Sequence, residues 1–201
     1  MKRTNTKRNT YLKGSGQKLW ENAKKIIPGG NMFLSKNPEN YLPKLWPTYY
    51  HSAKGCMVRD LDNRKYIDMT MGVGTNILGY SNNAINNSVI KAIRNSTMST
   101  FNPKEEVVLA KKLLKLHPWA GGVKFARTGG EANALSLRIA RSFVKKTKIA
   151  ICGYHGWHDW YLSANLNKKN NLNEHLLKGL STIGVPKELK NTVFPFTYGN
   201  Y

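Results

Sequence analysis

The feature that most constrains the fold of this chain is a strand pattern that occurs on both sides of a helix pattern. Residues 122–127 and 148–152 have the character of short strands. Between them, residues 131–145 carry an apolar residue at every fourth position, which is typical of a helix with one apolar face. Strand, helix and strand in this order predict a right-handed βαβ unit. We therefore predict an α/β fold with a mainly parallel sheet flanked by helices, with a further strand near residues 192–196.

The first half of the chain is predicted to be built differently, from helices and a hairpin. Apolar residues at helical spacing predict a helix over residues 17–27. Residues 56–69 are typical of a β-hairpin that turns at Asp62 and Asn63, because both residue types tolerate the left-handed turn conformation. Two further helices are predicted after caps at residues 81–82 and at Asn102.

Composition restricts the class of protein more than it identifies one. The 201 residues carry 32 Lys+Arg and 11 Asp+Glu, a formal net charge of +21. Basic residues are spread along the whole chain without a zinc-finger, helix-turn-helix or aromatic RNA-binding motif, so nucleic-acid binding is the least favoured interpretation. Two distant cysteines, Cys56 and Cys152, fit a reducing compartment. Because no membrane-length apolar run and no secretory signal occur, we expect a cytoplasmic protein without membrane attachment.

The turn before the predicted central helix is a candidate anion site. Arg127 is followed by Thr128, Gly129 and Gly130 at the point where the strand gives way to the helix. Free backbone N–H groups and the positive end of the helix dipole attract an anion there, and glycines allow a phosphate to approach closely. Thr128 adds a hydroxyl donor. A Gly-Gly turn can equally be a simple tight connection, so this motif alone leaves both interpretations open.

A second cluster follows the next predicted strand, at residues 153–159. Ligands of open α/β sheets lie at the carboxyl ends of strands, so this cluster and the Gly-Gly turn can face one ligand. Tyr154 or His155 offers a flat ring for an aromatic cofactor. His155, His158 and Asp159 would share a helix face as metal ligands, but no distant further ligand is evident, and we predict no metal site.

These clusters, taken together with other segments, resemble the class III aminotransferases of pyridoxal-phosphate fold type I, nearest the glutamate-1-semialdehyde 2,1-aminomutase branch. The similarity extends over about 180 residues, and the motifs follow one another in the family's order. The motifs that carry it are the Pro-Gly-Gly of residues 28–30, the hairpin of residues 53–68, residues 76–79, Thr128-Gly-Gly-Glu-Ala132 and Tyr154-His-Gly156.

The resemblance implies a pyridoxal 5′-phosphate site with assigned residues. Thr128, Gly129 and Gly130 would hold the phosphate, Tyr154 would stack on the pyridine ring, and His155 would lie beside it. Gly130 stands where the family has threonine, so one hydroxyl contact would be missing. The implied partners are an amino donor and a carbonyl acceptor, and a second subunit in a homodimer.

The resemblance covers only the family's N-terminal half, which has consequences for catalysis. The Schiff-base lysine of the family lies in the other half, so no catalytic residue is assigned here, and the chain alone is expected to be inactive. We predict that residues 1–75 comprise a tail, helix, connector and hairpin belonging to a small domain. Residues 76–201 would be the first half of the large cofactor-binding domain. The alternative is a non-catalytic binding or dimerisation module of the same fold.

One departure from the aminomutase branch concerns the substrate. Where that branch has a serine and an arginine that bind the substrate carboxylate, this chain has Phe33 and Lys36. Lysine keeps the positive charge but lacks the bidentate geometry of arginine. Lys36 is therefore a candidate substrate-binding residue, and the pattern favours an aminotransferase for another carbonyl compound over the semialdehyde reaction.

Overall fold

The computed structural model describes residues 14–42, 44–175 and 179–200. The chain divides into two compact units, with the boundary between Phe101 and Asn102. Of the predicted N-terminal tail, residues 1–13 lie outside the described part. The first unit contains α1 (Ser15–Ile26), β1 (Tyr50–Lys54), β2 (Met57–Asp60), β3 (Lys65–Ile67) and α2 (Asn83–Asn95). The second contains α3 (Lys104–Leu116), α4 (Gly129–Val144), β4 (Ile149–Ile151), α5 (Asp159–Leu162), α6 (Ala164–Asn167) and β5 (Val193–Pro195).

The first unit is organised around a three-stranded antiparallel sheet in the order β1-β2-β3. The predicted hairpin is confirmed as β2 and β3, and Asn63 takes the left-handed conformation with φ of 60°. Asp60, which is only 4% exposed, accepts hydrogen bonds from the backbone N–H groups of Asp62 and Arg64 at 2.9 and 2.8 Å. Strand β1 was not predicted, because its residues alternate poorly and its pairing with β2 is a tertiary property.

Helix α1 is anchored to the first unit by Trp20. The indole is 2% exposed, and its Nε1 donates a hydrogen bond to Glu39 Oε1 at 3.0 Å. Gly30 has φ of 77°, and a Cβ atom at that position would overlap the Trp20 ring. The Pro-Gly-Gly segment thus needs glycine at residue 30 for two reasons, a left-handed backbone and the absence of a side chain.

The two predicted helix caps have different outcomes. Asn82 caps α2 as predicted, since its side chain accepts hydrogen bonds from the N–H groups of Ala84 and Ile85. The predicted Asn102 cap of α3 is wrong. The helix begins at Lys104 after Pro103, whose extended backbone (φ −75°, ψ 137°) places Asn102 one residue too far out to cap.

The second unit contains the parallel pairing that the sequence predicts, but with fewer strands. Strands β4 and β5 pair in parallel, Ile149 opposite Val193 and Ile151 opposite Pro195. The predicted strand over residues 122–127 is wrong: this segment forms no ladder with any described strand. A strand requires a neighbour for its N–H and C=O groups, and the local pattern of side chains does not supply one. The predicted βαβ unit therefore does not form over residues 122–152.

A small apolar core lies beneath the segment that follows β4. It contains Ile151 from β4 and Val193 from β5, together with Tyr161, Ala164 and Leu172, of which the last three and Val193 are fully buried. The apolar spacing of residues 131–145 correctly predicted a helix here, which is α4. Nevertheless, α4 has no buried residue. In the described ranges, no helix is both long and apolar enough to cross a membrane.

From the hydrogen bond between Asp68 and Tyr80, we predict that the free energy of unfolding of the first unit depends on pH. Tyr80 Oη donates to Asp68 Oδ2 at 2.6 Å, and this bond, with those from the N–H groups of Thr70 and Met71, lowers the pKa of Asp68. A lowered carboxyl pKa stabilises the fold above the ordinary value of 3.8, and the contribution is lost as the pH falls through the folded value. Tyr80→Phe should lower the free energy of unfolding by about 1 kcal/mol at neutral pH, since the pair is half-exposed.

Urea unfolding at neutral pH and well below pH 3.8 measures this effect. The difference between the wild type and Tyr80→Phe should shrink in acid, where Asp68 is protonated in both proteins. Tyr50→Phe is the control, because that side chain is 69% exposed and should change little at either pH. A gap between wild type and Tyr80→Phe that is equally large in acid would contradict the assignment of this stabilisation to the Asp68 carboxylate.

Candidate functional site

The start of α4 is fixed by two reciprocal side-chain hydrogen bonds. Thr128 is the N-cap residue in an extended conformation (φ −131°, ψ 157°), and its Oγ1 accepts from the Glu131 N–H at 3.1 Å. Glu131 Oε2 in turn accepts from the Arg127 N–H at 2.9 Å. This arrangement is a variant of the capping box, in which the acid reaches one residue beyond the cap. It holds the backbone of residues 127–131 in one conformation.

Two backbone N–H groups at this helix start have no acceptor among the described residues. The N–H of Ala132 bonds to the Thr128 carbonyl at 3.0 Å and that of Glu131 bonds to the Thr128 hydroxyl, whereas those of Gly129 and Gly130 bond to nothing described. A Cβ atom at Gly129 would have no neighbour within 4 Å. The positive end of the helix dipole adds to these donors, so this point can bind an anion.

Three of the described side chains form hydrogen bonds with the backbone of residues 152–153, at the start of the segment after β4. His175, which is 6% exposed, accepts a hydrogen bond at Nδ1 from the Gly153 N–H at 2.9 Å, and Tyr161 Oη donates to the Gly153 carbonyl at 3.2 Å. The His155 Nε2–H donates to the Cys152 carbonyl at 2.9 Å. Sequence reasoning missed His175, because it lies 22 residues from its partner in a polar stretch that has no motif.

Among the aromatic side chains of this segment, the Tyr154 ring packs against the core and is partly open. Tyr161 is fully buried, and both Tyr154 (centroids 5.8 Å apart, 84° between planes) and His155 (6.1 Å, 80°) meet it edge to face. Burial raises the pKa of Tyr161 to about 12, so its hydroxyl remains a donor at neutral pH. Tyr154 is 38% exposed and is not part of the packed interior. Its ring can therefore be covered by a ligand.

The helix start and the segment after β4 lie against each other. The Asn133 side chain of α4 donates from Nδ2 to the His155 carbonyl at 3.3 Å. A Cβ atom at Gly156, where φ is 104°, would lie 3.7 Å from Gly130 Cα. The structure thus brings the five predicted site residues onto two adjacent segments of one unit: Thr128, Gly129, Gly130, Tyr154 and His155.

The remaining site predictions fall elsewhere. Lys36 lies in the first unit, at the end of a short 3₁₀ turn (Leu34–Lys36), with its Nζ 5.4 Å from the centroid of the Phe33 ring. Its predicted role in substrate binding stays a prediction. Across residues 14–42, 44–175 and 179–200, no group of three or more His, Cys, Asp or Glu side chains could hold a metal ion.

Comparison with known proteins identifies the family. The family model of the class-III aminotransferases matches residues 41–192. The 3-aminobutyryl-CoA aminotransferase of Cloacimonas acidaminovorans is 34% identical over 184 residues, which cover 90% of this chain and 40% of that protein. The glutamate-1-semialdehyde 2,1-aminomutase of Nitrosopumilus maritimus is 35% identical over 182 residues, covering 89% of this chain and 41% of that protein.

Solved structures agree on the fold. An omega-transaminase from Sphaerobacter thermophilus superposes with a TM-score of 0.77 at 22% identity, covering 97% of this chain and 44% of that chain. The PLP form of the Sphingopyxis sp. MTA144 FumI protein gives a TM-score of 0.75 at 25% identity, covering 93% and 41%. The chain spans about 40% of the length of the curated relatives it matches. These findings confirm the resemblance drawn from the motifs: the chain belongs to the class III aminotransferases, a family of fold type I whose cofactor is pyridoxal phosphate.

Proposed function

We propose that the protein containing this chain transfers an amino group between an amino donor and a carbonyl compound, with pyridoxal phosphate held by the second unit. The observation that carries the proposal is the juxtaposition of two unbonded N–H groups, at Gly129 and Gly130, with the segment that bears the partly exposed Tyr154 ring. One end of such a site suits a phosphate and the other suits an aromatic ring.

The residues present fit this cofactor in chemical type. Gly129 leaves open space at the helix start, where a phosphate can approach the backbone closely. The Thr128 hydroxyl accepts from Glu131, which leaves its own hydrogen available to a phosphate oxygen. The exposed part of Tyr154 provides a face for the pyridine ring. When bound, pyridoxal phosphate supplies an electron sink that stabilises the carbanion formed when an amino substrate loses a proton.

The other residues of the site orient these contacts. Tyr161 and His175 hold the Gly153 backbone from its carbonyl and N–H sides, which sets the direction in which Tyr154 leaves the strand. His155 donates to Cys152, so its ring is directed toward its own backbone rather than being a free acid or base at Nε2. Within this chain the supported roles are therefore binding and positioning, and we assign no proton transfer to it.

The oligomeric state, the location and the choice of substrate are properties of the whole protein. We propose a homodimer located in the cytoplasm, with Lys36 contributing to the recognition of an anionic substrate group. Phe33 and Lys36, which replace the serine and arginine of the aminomutase branch, favour intermolecular transfer to another carbonyl compound. Substrate profiling of the purified protein with a panel of amino donors and carbonyl acceptors would test this point.

Gly129→Pro should weaken binding of the cofactor phosphate without disturbing the helix. Proline is favoured at the first helical position, and the preceding Thr128 already has the extended backbone that proline requires. The substitution removes one N–H donor to an anion, so the affinity for pyridoxal phosphate should fall about 10- to 100-fold. Fluorescence or calorimetric titration of the protein, expressed at the length its gene encodes, measures the change.

Gly129→Ala is the matched control. It adds a methyl group into open space and retains the N–H donor, so affinity should stay close to that of the wild type. Pyridoxal without phosphate should bind Gly129→Pro and wild type alike. If the proline variant binds pyridoxal phosphate as tightly as the alanine variant does, the proposed phosphate site is wrong.

A further inference from the structure

We propose that His158 is an additional ligand of the cofactor phosphate and takes the place of a side chain at residue 130. The inference rests on the proposed function, because it concerns the same phosphate site. It assigns a specificity-determining role to a residue outside the five predicted ones. The role is the donation of one imidazole N–H to a phosphate oxygen beside the N–H groups of Gly129 and Gly130.

The position of the imidazole is defined by its contact with Gly130. A Cβ atom built on Gly130 would overlap Nε2 of His158 and lie 2.7 Å from its Cδ2. The Nε2 edge of the ring therefore occupies the space into which a residue-130 side chain would project from the first turn of α4. The Gly130 N–H has no acceptor among the described residues, so the ring nitrogen lies next to a residue whose amide is unbonded.

The backbone of His158 is anchored to the core, so the ring is not placed by a free loop. His158 is the N-cap residue of α5, and its carbonyl accepts from the N–H groups of Tyr161 at 2.9 Å and Leu162 at 3.0 Å. Tyr161 is fully buried. A Cβ atom at Gly156 would lie 3.7 Å from the same Cδ2 atom of His158, which is an ordinary van der Waals contact. Glycine at residue 130 thus leaves room for the ring, because a Cβ atom there would overlap it.

Its hydrogen bonding distinguishes His158 from the neighbouring histidines. His155 donates from Nε2 to the Cys152 carbonyl, and His175 accepts at Nδ1 from the Gly153 N–H. Neither ring nitrogen of His158 has a hydrogen-bond partner in the described part of the chain, and the side chain is half-buried. Half-buried donors without protein partners tend to bind water or a ligand.

The electrostatics favour an anionic ligand. The start of α4 carries partial positive charge from its dipole and from the N–H groups of Gly129 and Gly130. No hydrogen bond joins a ring nitrogen of His158 to either amide among the described residues, so the helix start and the ring are both left to bind something else. A phosphate supplies several acceptor oxygens that can satisfy the two amides and the imidazole together. A threonine at residue 130, as in the family motif, cannot coexist with the ring in this position, so the imidazole substitutes for the missing hydroxyl.

The test measures non-covalent binding of deoxypyridoxine phosphate, which lacks the reactive aldehyde, to the protein at the length its gene encodes. His158→Phe keeps the volume of the ring and removes its donors, so affinity for this probe should fall about tenfold. His158→Gln retains an N–H donor near the position of Nε2 and should recover part of the loss. Unphosphorylated deoxypyridoxine should bind all three proteins equally.

A swap of the two side chains gives a second, independent readout. Gly130→Thr alone should weaken binding of deoxypyridoxine phosphate, because its side chain overlaps His158. Combined with His158→Ala, the same Gly130→Thr substitution should restore most of the affinity by supplying a hydroxyl donor in the vacated space. The coupling between the two substitutions is therefore expected to be positive.

Each outcome is decisive for one proposal or the other. If Gly129→Pro weakens the phosphorylated probe and His158→Phe does not, the role of His158 is wrong and the proposed function stands. If His158→Phe weakens both probes equally, His158 only shapes the site, and the inference is again wrong. If wild type does not prefer the phosphorylated probe, or Gly129→Pro has no effect on its binding, the proposed function itself fails. Thermal melting of every variant separates binding defects from unfolding.

Discussion

Tyr161→Ala is expected to destabilise the second unit by about 3–5 kcal/mol, the cost of removing a large buried aromatic side chain. Tyr161 is fully buried, with 0% of its surface accessible to solvent, and it packs with Ile151, Leu172 and Val193. The substitution also removes the hydrogen bond to the Gly153 carbonyl and the edge-to-face partner of Tyr154. Denaturant unfolding of the protein measures the loss of stability.

Tyr161→Phe measures the contribution of the hydroxyl group to stability separately from that of the ring. It keeps the packing and loses only the hydrogen bond to Gly153, so the free energy of unfolding should fall by about 1 kcal/mol. Affinity for pyridoxal phosphate should decline more in Tyr161→Ala than in Tyr161→Phe, because the alanine variant leaves Tyr154 unsupported. A Tyr161→Ala protein within about 1 kcal/mol of wild type would show that this core does not hold the site.

Trp20→Ala is expected to destabilise the first unit by a similar amount, about 3–5 kcal/mol. The indole is 2% exposed and fills the space left by the absent side chain of Gly30. Its Nε1 donates to Glu39, and this bond, with the nearby Lys24 ammonium, lowers the pKa of Glu39. Loss of the indole should therefore also move the pKa of Glu39 toward its ordinary value. Chemical denaturation and carboxyl titration by NMR measure the two effects.

Two further substitutions show whether loss of packing causes the destabilisation expected for Trp20→Ala. Gly30→Ala adds a methyl group where the Trp20 ring lies and strains a backbone with φ of 77°, so it should destabilise the same unit. Trp119→Ala is the control for tryptophan loss, because that side chain is 84% exposed and should change stability by about 0.5 kcal/mol or less. Equal effects of Trp20→Ala and Trp119→Ala would rule out a core role for Trp20.

Local sequence patterns predicted the elements whose causes are local. The spacing of apolar residues predicted α1, α2 and α4, and the residue types at Asp62 and Asn63 predicted the hairpin turn. The Gly-Gly turn predicted an anion site at the start of α4, because unbonded N–H groups there follow from helix geometry alone. The same patterns do not show what covers an apolar face: α2, α3 and α4 have no buried residue among those described.

Tertiary structure decided the features that depend on a partner distant in sequence. Strand pairing is one, since residues 50–54 form β1 against β2 whereas residues 122–127 form no ladder with a described strand. Another is the support of Gly153 by His175, which lies 22 residues away. A third is the packing of His158 against Gly130, where a Cβ atom would overlap the imidazole ring. The sequence by itself thus determined the presence of the helices, the hairpin turn and the family, because these depend on neighbours along the chain. Only the folded chain decided which side chains lie beside the unbonded donors of the site, because that depends on which residues meet in space.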